Sequence, residues 1–64
     1  DLRNANFWGS NLLESDFTDS DLRGTNLQST MTLFTKFKGA KFNGKTILPF
    51  SKEVALKKGM IEVD

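Results

Sequence analysis

Ser15-Asp16-Phe17-Thr18-Asp19-Ser20-Asp21-Leu22-Arg23-Gly24-Thr25-Asn26-Leu27 repeats one short pattern: a small residue, an Asp or Asn, a large apolar residue, then two others. Extending that phase both ways from Leu2 gives Phe7, Leu12, Phe17, Leu22, Leu27, Thr32, Phe37, Phe42 and Ile47, all large and apolar except Thr32. Two positions earlier stand Ala5, Ser10, Ser15, Ser20, Thr25, Thr30, Thr35 and Ala40, all of them small. One position earlier stand Asp1, Asn6, Asn11, Asp16, Asp21 and Asn26, then Met31, Lys36, Lys41 and Thr46.

A spacing of five fits neither the 3.6 of a helix nor the 2.0 of a strand. On a helix these apolar residues would wind round the axis and leave no coherent face. Residues 1–30 are also rich in Asn, Asp, Ser, Thr and Gly, which favour turns and caps over helix interiors. The period therefore implies a turn repeated every five residues.

The pattern, carried by Ala5-Asn6-Phe7, Ser15-Asp16-Phe17, Ser20-Asp21-Leu22 and Thr25-Asn26-Leu27, resembles the pentapeptide-repeat family. The resemblance covers about residues 1–48. It implies an all-β solenoid, a right-handed quadrilateral β-helix in which four pentapeptides make one 20-residue coil. The large residue and the small residue two before it would point inward. At that spacing Leu2/Leu22/Phe42, Phe7/Leu27/Ile47 and Leu12/Thr32 would stack, and Asn6 with Asn26 would form a side-chain ladder. Burying such a Leu or Phe contributes roughly 1.5–3 kcal/mol, so nine of them can hold a chain this short.

The pattern fades after Ile47. Pro49 cannot donate to a ladder, and Ser51 suits an N-cap, with a helix over 52–58 and Gly59 as its stop. The expected organisation is a repeat over 1–48, about two and a half coils, and a short C-terminal capping α-helix with its tail over 49–64. Phe50 would staple against Ala55. Val54, Ala55 and Leu56 would dock the helix over the open end. The placement of Met60, Ile61 and Val63 does not follow from the sequence.

The 64 residues contain no Cys and no His, which removes thiolate and imidazole metal sites and the familiar catalytic triads. No catalytic residue, cofactor or metal is expected, and no stretch approaches a membrane span. The localisation default is cytoplasmic. The charge is uneven: residues 1–34 hold two cations against five anions (−3), and residues 35–64 hold seven against three (+4). Asp1 falls in the middle of a repeat, so the chain reads as part of something longer.

Among outward positions the informative residues are apolar: Trp8, Leu13, Met31, Leu33, Phe34 and Leu48. Leu13, Met31, Leu33 and Phe34 would share one wall, which also holds the out-of-type Thr32. Three readings compete there: a bulge that turns Leu33 inward, cover by the C-terminal helix or a missing segment, or a protein–protein surface. Trp8 would stack with Gln28 and Leu48, packed beneath the chain near Pro49 or acting as a binding hot spot. Glu14, Asp16, Asp19 and Asp21 read as solvated turn residues rather than a calcium set. Lys36-Phe37-Lys38-Gly39-Ala40-Lys41-Phe42 looks basic and aromatic, yet Phe37 and Phe42 are in phase and expected in the core, which argues against nucleic acid.

The functional expectation is a non-catalytic structural or interaction module, its partner another protein or a second copy of the chain. The candidate interface is Leu13, Met31, Leu33, Phe34 and Trp8. One alternative, implied by the resemblance, is a DNA-mimicking inhibitor or protector of DNA gyrase, although such a rod should stay acidic along its length. Another is the C-terminal part of a protein whose function lies upstream.

Overall fold

The computed structural model describes residues 2–64, and Asp1, the first Asp/Asn of the repeat, lies outside the described residues. Each pentapeptide closes a β-turn in which the N–H three residues on donates to the carbonyl of the large residue. Ala5 to Leu2 (3.1 Å), Ser10 to Phe7 (2.9 Å) and Ala40 to Phe37 (2.9 Å) are examples. The third residue of each turn from Asn4 to Gly39 has φ between 60° and 78°. The second residue does not, so these are type II turns.

The Asp or Asn of the repeat has a local task. Its Oδ1 accepts from the N–H two residues on, as in Asn6 with Trp8 (3.0 Å), Asn11 with Leu13 (2.9 Å), Asp16 with Thr18 (2.9 Å) and Asn26 with Gln28 (3.0 Å). This Asx bond pre-forms the turn. Asn6 and Asn26 are thus joined through their backbones, and their side chains serve their own turns instead of the expected ladder.

Successive circuits pair in parallel at a spacing of 20: Asn6 with Asn26, Asn11 with Met31, Asp16 with Lys36, and Asp21 with Lys41. These pairs define four columns, numbered here in chain order. The result is a β-helix-like repeat fold with little regular strand. Only β1 (Lys41–Phe42) and β2 (Ile61–Glu62) extend to two residues among the described residues. A turn every five residues leaves about one pairing residue between corners.

The large residues fill the interior: Leu12, Phe17, Leu22, Leu27, Phe37 and Phe42 are buried. Phe17 stacks on Phe37 with ring centroids 5.8 Å apart, and Phe7 and Phe50 meet that pair edge-on. Thr25, fully buried, donates its hydroxyl to the Leu22 carbonyl at 2.7 Å, which removes the cost of an unsatisfied group.

The first column departs from the expected register. Asn26 pairs with Ile47, a spacing of 21, and Leu27 N–H donates to the Ile47 carbonyl at 2.8 Å. Ile47 is therefore exposed, and Leu48 packs against the core in its place, reversing the two expected orientations. The extra residue lies in the turn beginning at Asn43, where Thr46 N–H donates to the Asn43 carbonyl. Gly24 N–H, whose counterparts at other corners bond the backbone above, donates here to Asn43 Oδ1 (3.2 Å) and Thr46 Oγ1 (3.1 Å). Side chains thus replace the displaced backbone acceptor, and no donor is stranded.

Helix α1 (Lys52–Lys57) starts at Ser51, whose Oγ accepts from Val54 N–H, and ends before Gly59 at φ 87°. Only Ala55 is buried from it; Val54 and Leu56 are exposed, contrary to the expected three-residue docking face. Six residues make under two turns, so a single side chain can point squarely at the core. Phe50 packs against the core cluster that includes Ala55 and lies edge-on to Phe37, with Lys58 Nζ 5.3 Å from its ring centroid.

The tail then rejoins the ladder. Lys41 pairs with Ile61 and Phe42 with Glu62, back at the 20-residue spacing. Met60 lies over Ala40, in the small-residue position, and is buried there.

Candidate interaction surface

The turn after Leu12 and the turn after Thr32 stack at the corner between the second and third columns, with Glu14 N–H donating to the Leu33 carbonyl at 3.1 Å. Leu13 and Leu33 hold the second position of those turns, and Glu14 and Phe34 the third. Type II geometry points both positions away from the interior. Leu13, Leu33 and Phe34 are 41%, 62% and 73% exposed.

Met31 stands on the second column above Asn11 and is 59% exposed. Lacking an Asx side chain, it breaks the local turn chemistry that Asn11 supplies one circuit below. At the preceding corner Trp8 stacks with Gln28, through Gly9 N–H and the Gln28 carbonyl at 3.0 Å, and is 60% exposed. All five residues singled out from the sequence thus lie on one column and its two flanking corners.

Neither an inward bulge nor the C-terminal helix covers this wall among the described residues. Thr35 N–H donates to the Thr32 carbonyl at 3.1 Å, so Thr32 keeps its phase and Leu33 is not turned inward. Helix α1 buries Ala55 against the core and leaves the wall open. Trp8 is not packed beneath the departing chain, because the extra residue in the first column rotates Leu48 inward.

Phe34 adds a second oddity, since its φ is 60°. Left-handed backbone costs an L-residue roughly 1–2 kcal/mol, and a bulky one is a genuine outlier. Asn4, Asp19 and Ser29 hold the same turn position with short polar side chains suited to it.

The rim of the wall is charged unevenly. Glu14 and Asp16 belong to the first circuit, and Lys36 to the second, directly over Asp16. The Asp16 carboxyl lies below its ordinary pKa, chiefly through its hydrogen bonds to Thr18, with a smaller contribution from Lys36.

A shallow basic pocket of about 180 Å³ lies at the opposite corner, lined by Arg3, Asn4, Arg23, Gly24, Asn43 and Lys45. The sequence signal for it is the 20-residue spacing of Arg3 and Arg23, which stack by the same rule. Arg23 is engaged with Asp21 by a 2.6 Å ion pair, and Arg3 stands 4.0 Å from the same carboxylate. These contacts, led by the Arg23 hydrogen bond, hold the Asp21 pKa at about 2. Phe37 and Phe42 are buried, so the lysines around them carry no accessible rings. Among the described residues no group of three or more His, Cys, Asp or Glu could hold a metal ion, and no helix is long and apolar enough to cross a membrane.

A turn every five residues, local Asx bonds and parallel pairing at 20 define a β-helix-like repeat protein. Residues 1–31 match the family model of pentapeptide repeats in eight copies. Proteins of this family are in general structural or interaction modules. No curated protein and no solved structure matches the chain.

Proposed function

We propose that the chain forms a short right-handed, four-sided β-helix that acts as a rigid protein–protein interaction module, presenting side chains and performing no chemistry. The observation that carries this reading is the wall formed by Trp8, Leu13, Met31, Leu33 and Phe34, each between 41% and 73% exposed. A contiguous apolar surface of this kind on a small protein marks a contact site. Its support is stiff: backbone bonds of 2.8–3.1 Å join its two circuits at Gly9–Gln28, Leu12–Met31 and Glu14–Leu33. A surface that is already ordered loses little entropy on binding.

The test is capture from host extract by the immobilised chain, compared with Phe34→Asp and a control substitution at exposed Thr18, with folding of all three checked by circular dichroism. Capture of one defined protein by wild type and the Thr18 variant, lost with Phe34→Asp, supports the reading. Equal capture by all three removes the wall from it.

A further inference from the structure

We infer that the apolar wall is closed by a second copy of this chain, packed side by side and antiparallel about a two-fold axis. The inference rests on the reading of the wall as an interaction surface, and charge selects the partner. Circuits stack along one axis, so the −3 of residues 1–34 and the +4 of residues 35–64 lie toward opposite ends of the molecule. Two such bodies side by side attract when antiparallel and repel when parallel.

The rim of the wall makes the same choice locally. A two-fold axis perpendicular to the stack places the third column of one copy against the third column of the other, first circuit facing second. Asp16 then faces Lys36 of the partner copy, with Glu14 beside it at the corner that meets that copy's Phe34, and the reciprocal pairing forms by symmetry. Leu13 meets Leu33 across the interface, and Trp8 faces the Gln28–Met31 side. A two-fold axis along the stack would instead set the third column against the second, opposing Lys36 to Met31 and Asp16 to Asn11. Only the antiparallel contact sets Leu13 against Leu33 and Asp16 against Lys36 at once. It is isologous and therefore closes at two copies.

Size sets the strength. The molecule measures 27 × 21 × 21 Å, so one long side offers about 570 Å² and a dimer at most about twice that. That is the low end for specific interfaces, so the association is expected to be weak and reversible.

Sedimentation equilibrium on the full chain, from about 10 μM to about 1 mM, tests this. Wild type should show a reversible monomer–dimer equilibrium, and Phe34→Asp should be monomeric throughout. Glu14→Lys should weaken association about tenfold, and Glu14→Lys with Lys36→Glu should restore it, because rim charges set register. Neither residue takes part in an Asx turn, so both variants should fold. A monomeric wild type at the highest concentration overturns the inference, as does a double variant no better than Glu14→Lys. If wild type stays monomeric while extract capture still depends on Phe34, the self-pairing falls and the interaction module stands. If Phe34→Asp alters neither, both fall.

Discussion

Asn26 pairs with Ile47, 21 residues on, whereas Asp21 pairs with Lys41, 20 residues on. The extra residue between those two pairs decides which of two adjacent apolar side chains serves the core. Ile47→Thr should therefore change stability by less than about 0.5 kcal/mol, as surface substitutions do. Leu48→Ala, at a half-buried site packed on the core, should cost about 1–2 kcal/mol. Urea unfolding of both variants checks the pair. An unbroken period of five demands the opposite order.

That slip shows what the sequence carries and what it lacks. The five-residue period was legible because Leu or Phe and small residues recur in phase from Ala5 to Ala40, with Thr32 the one departure. At the last turn Ile47 and Leu48 are both apolar, so the large-residue column reads equally well in either phase. The small-residue column held the missing signal: Lys45 is too large for the interior, and Thr46, one position later, fits it. Asn43-Gly44 gave no warning, because Gly44 keeps the phase of Gly9, Gly24 and Gly39. The wall was legible because it needs only the period. The docking of α1 was not, since three apolar residues in a row do not say which one a six-residue helix will bury.

Phe34 occupies a left-handed turn position while remaining largely exposed. Replacing it by Asn, which tolerates that backbone, should stabilise the dilute protein by about 1 kcal/mol. Ala at the same position keeps the unfavourable φ and should gain little. Thermal unfolding at low micromolar concentration separates the two. A gain confined to Phe34→Asn identifies backbone strain, and equal gains from both would place the cost in the exposed ring.

Asp21 gives a pH signature. Its pKa falls from 3.8 to about 2, first through the hydrogen bond from Arg23 and with help from Arg3. A carboxyl with a depressed folded-state pKa binds protons more readily when unfolded, so its contribution is complete above the unfolded value. It fades as pH drops from about 4 through about 2. Asp21→Asn keeps an Oδ1 for the Arg23 N–H but removes the charge. Wild type should be the more stable of the two at pH 6, with the gap closing as pH approaches 2. A gap independent of pH would assign the effect to turn geometry rather than the ion pair.

The tail should behave as the last layer of the fold and not as an appendage. Gly39 N–H donates to the Gly59 carbonyl and Ile61 N–H to the Ala40 carbonyl, both at 2.8 Å, and Met60 between them is 3% exposed. Met60→Ala removes most of a buried side chain and should cost about 2–3 kcal/mol. Gly59→Ala should cost more than about 1 kcal/mol. Its φ is 87°, and the new Cβ would lie 3.3 Å from Lys38 Cα. Ile61→Ser, at a 48% exposed position on the same strand, should be nearly neutral. Hydrogen exchange makes the test local. In wild type the Gly39 and Ile61 amides should be protected together with the Phe37 and Leu27 region, and Met60→Ala should release them first. If those two amides exchange freely in wild type, the tail does not close the stack, and the interior above Phe42 and Ala40 must be sealed by Phe50 and Ala55 alone.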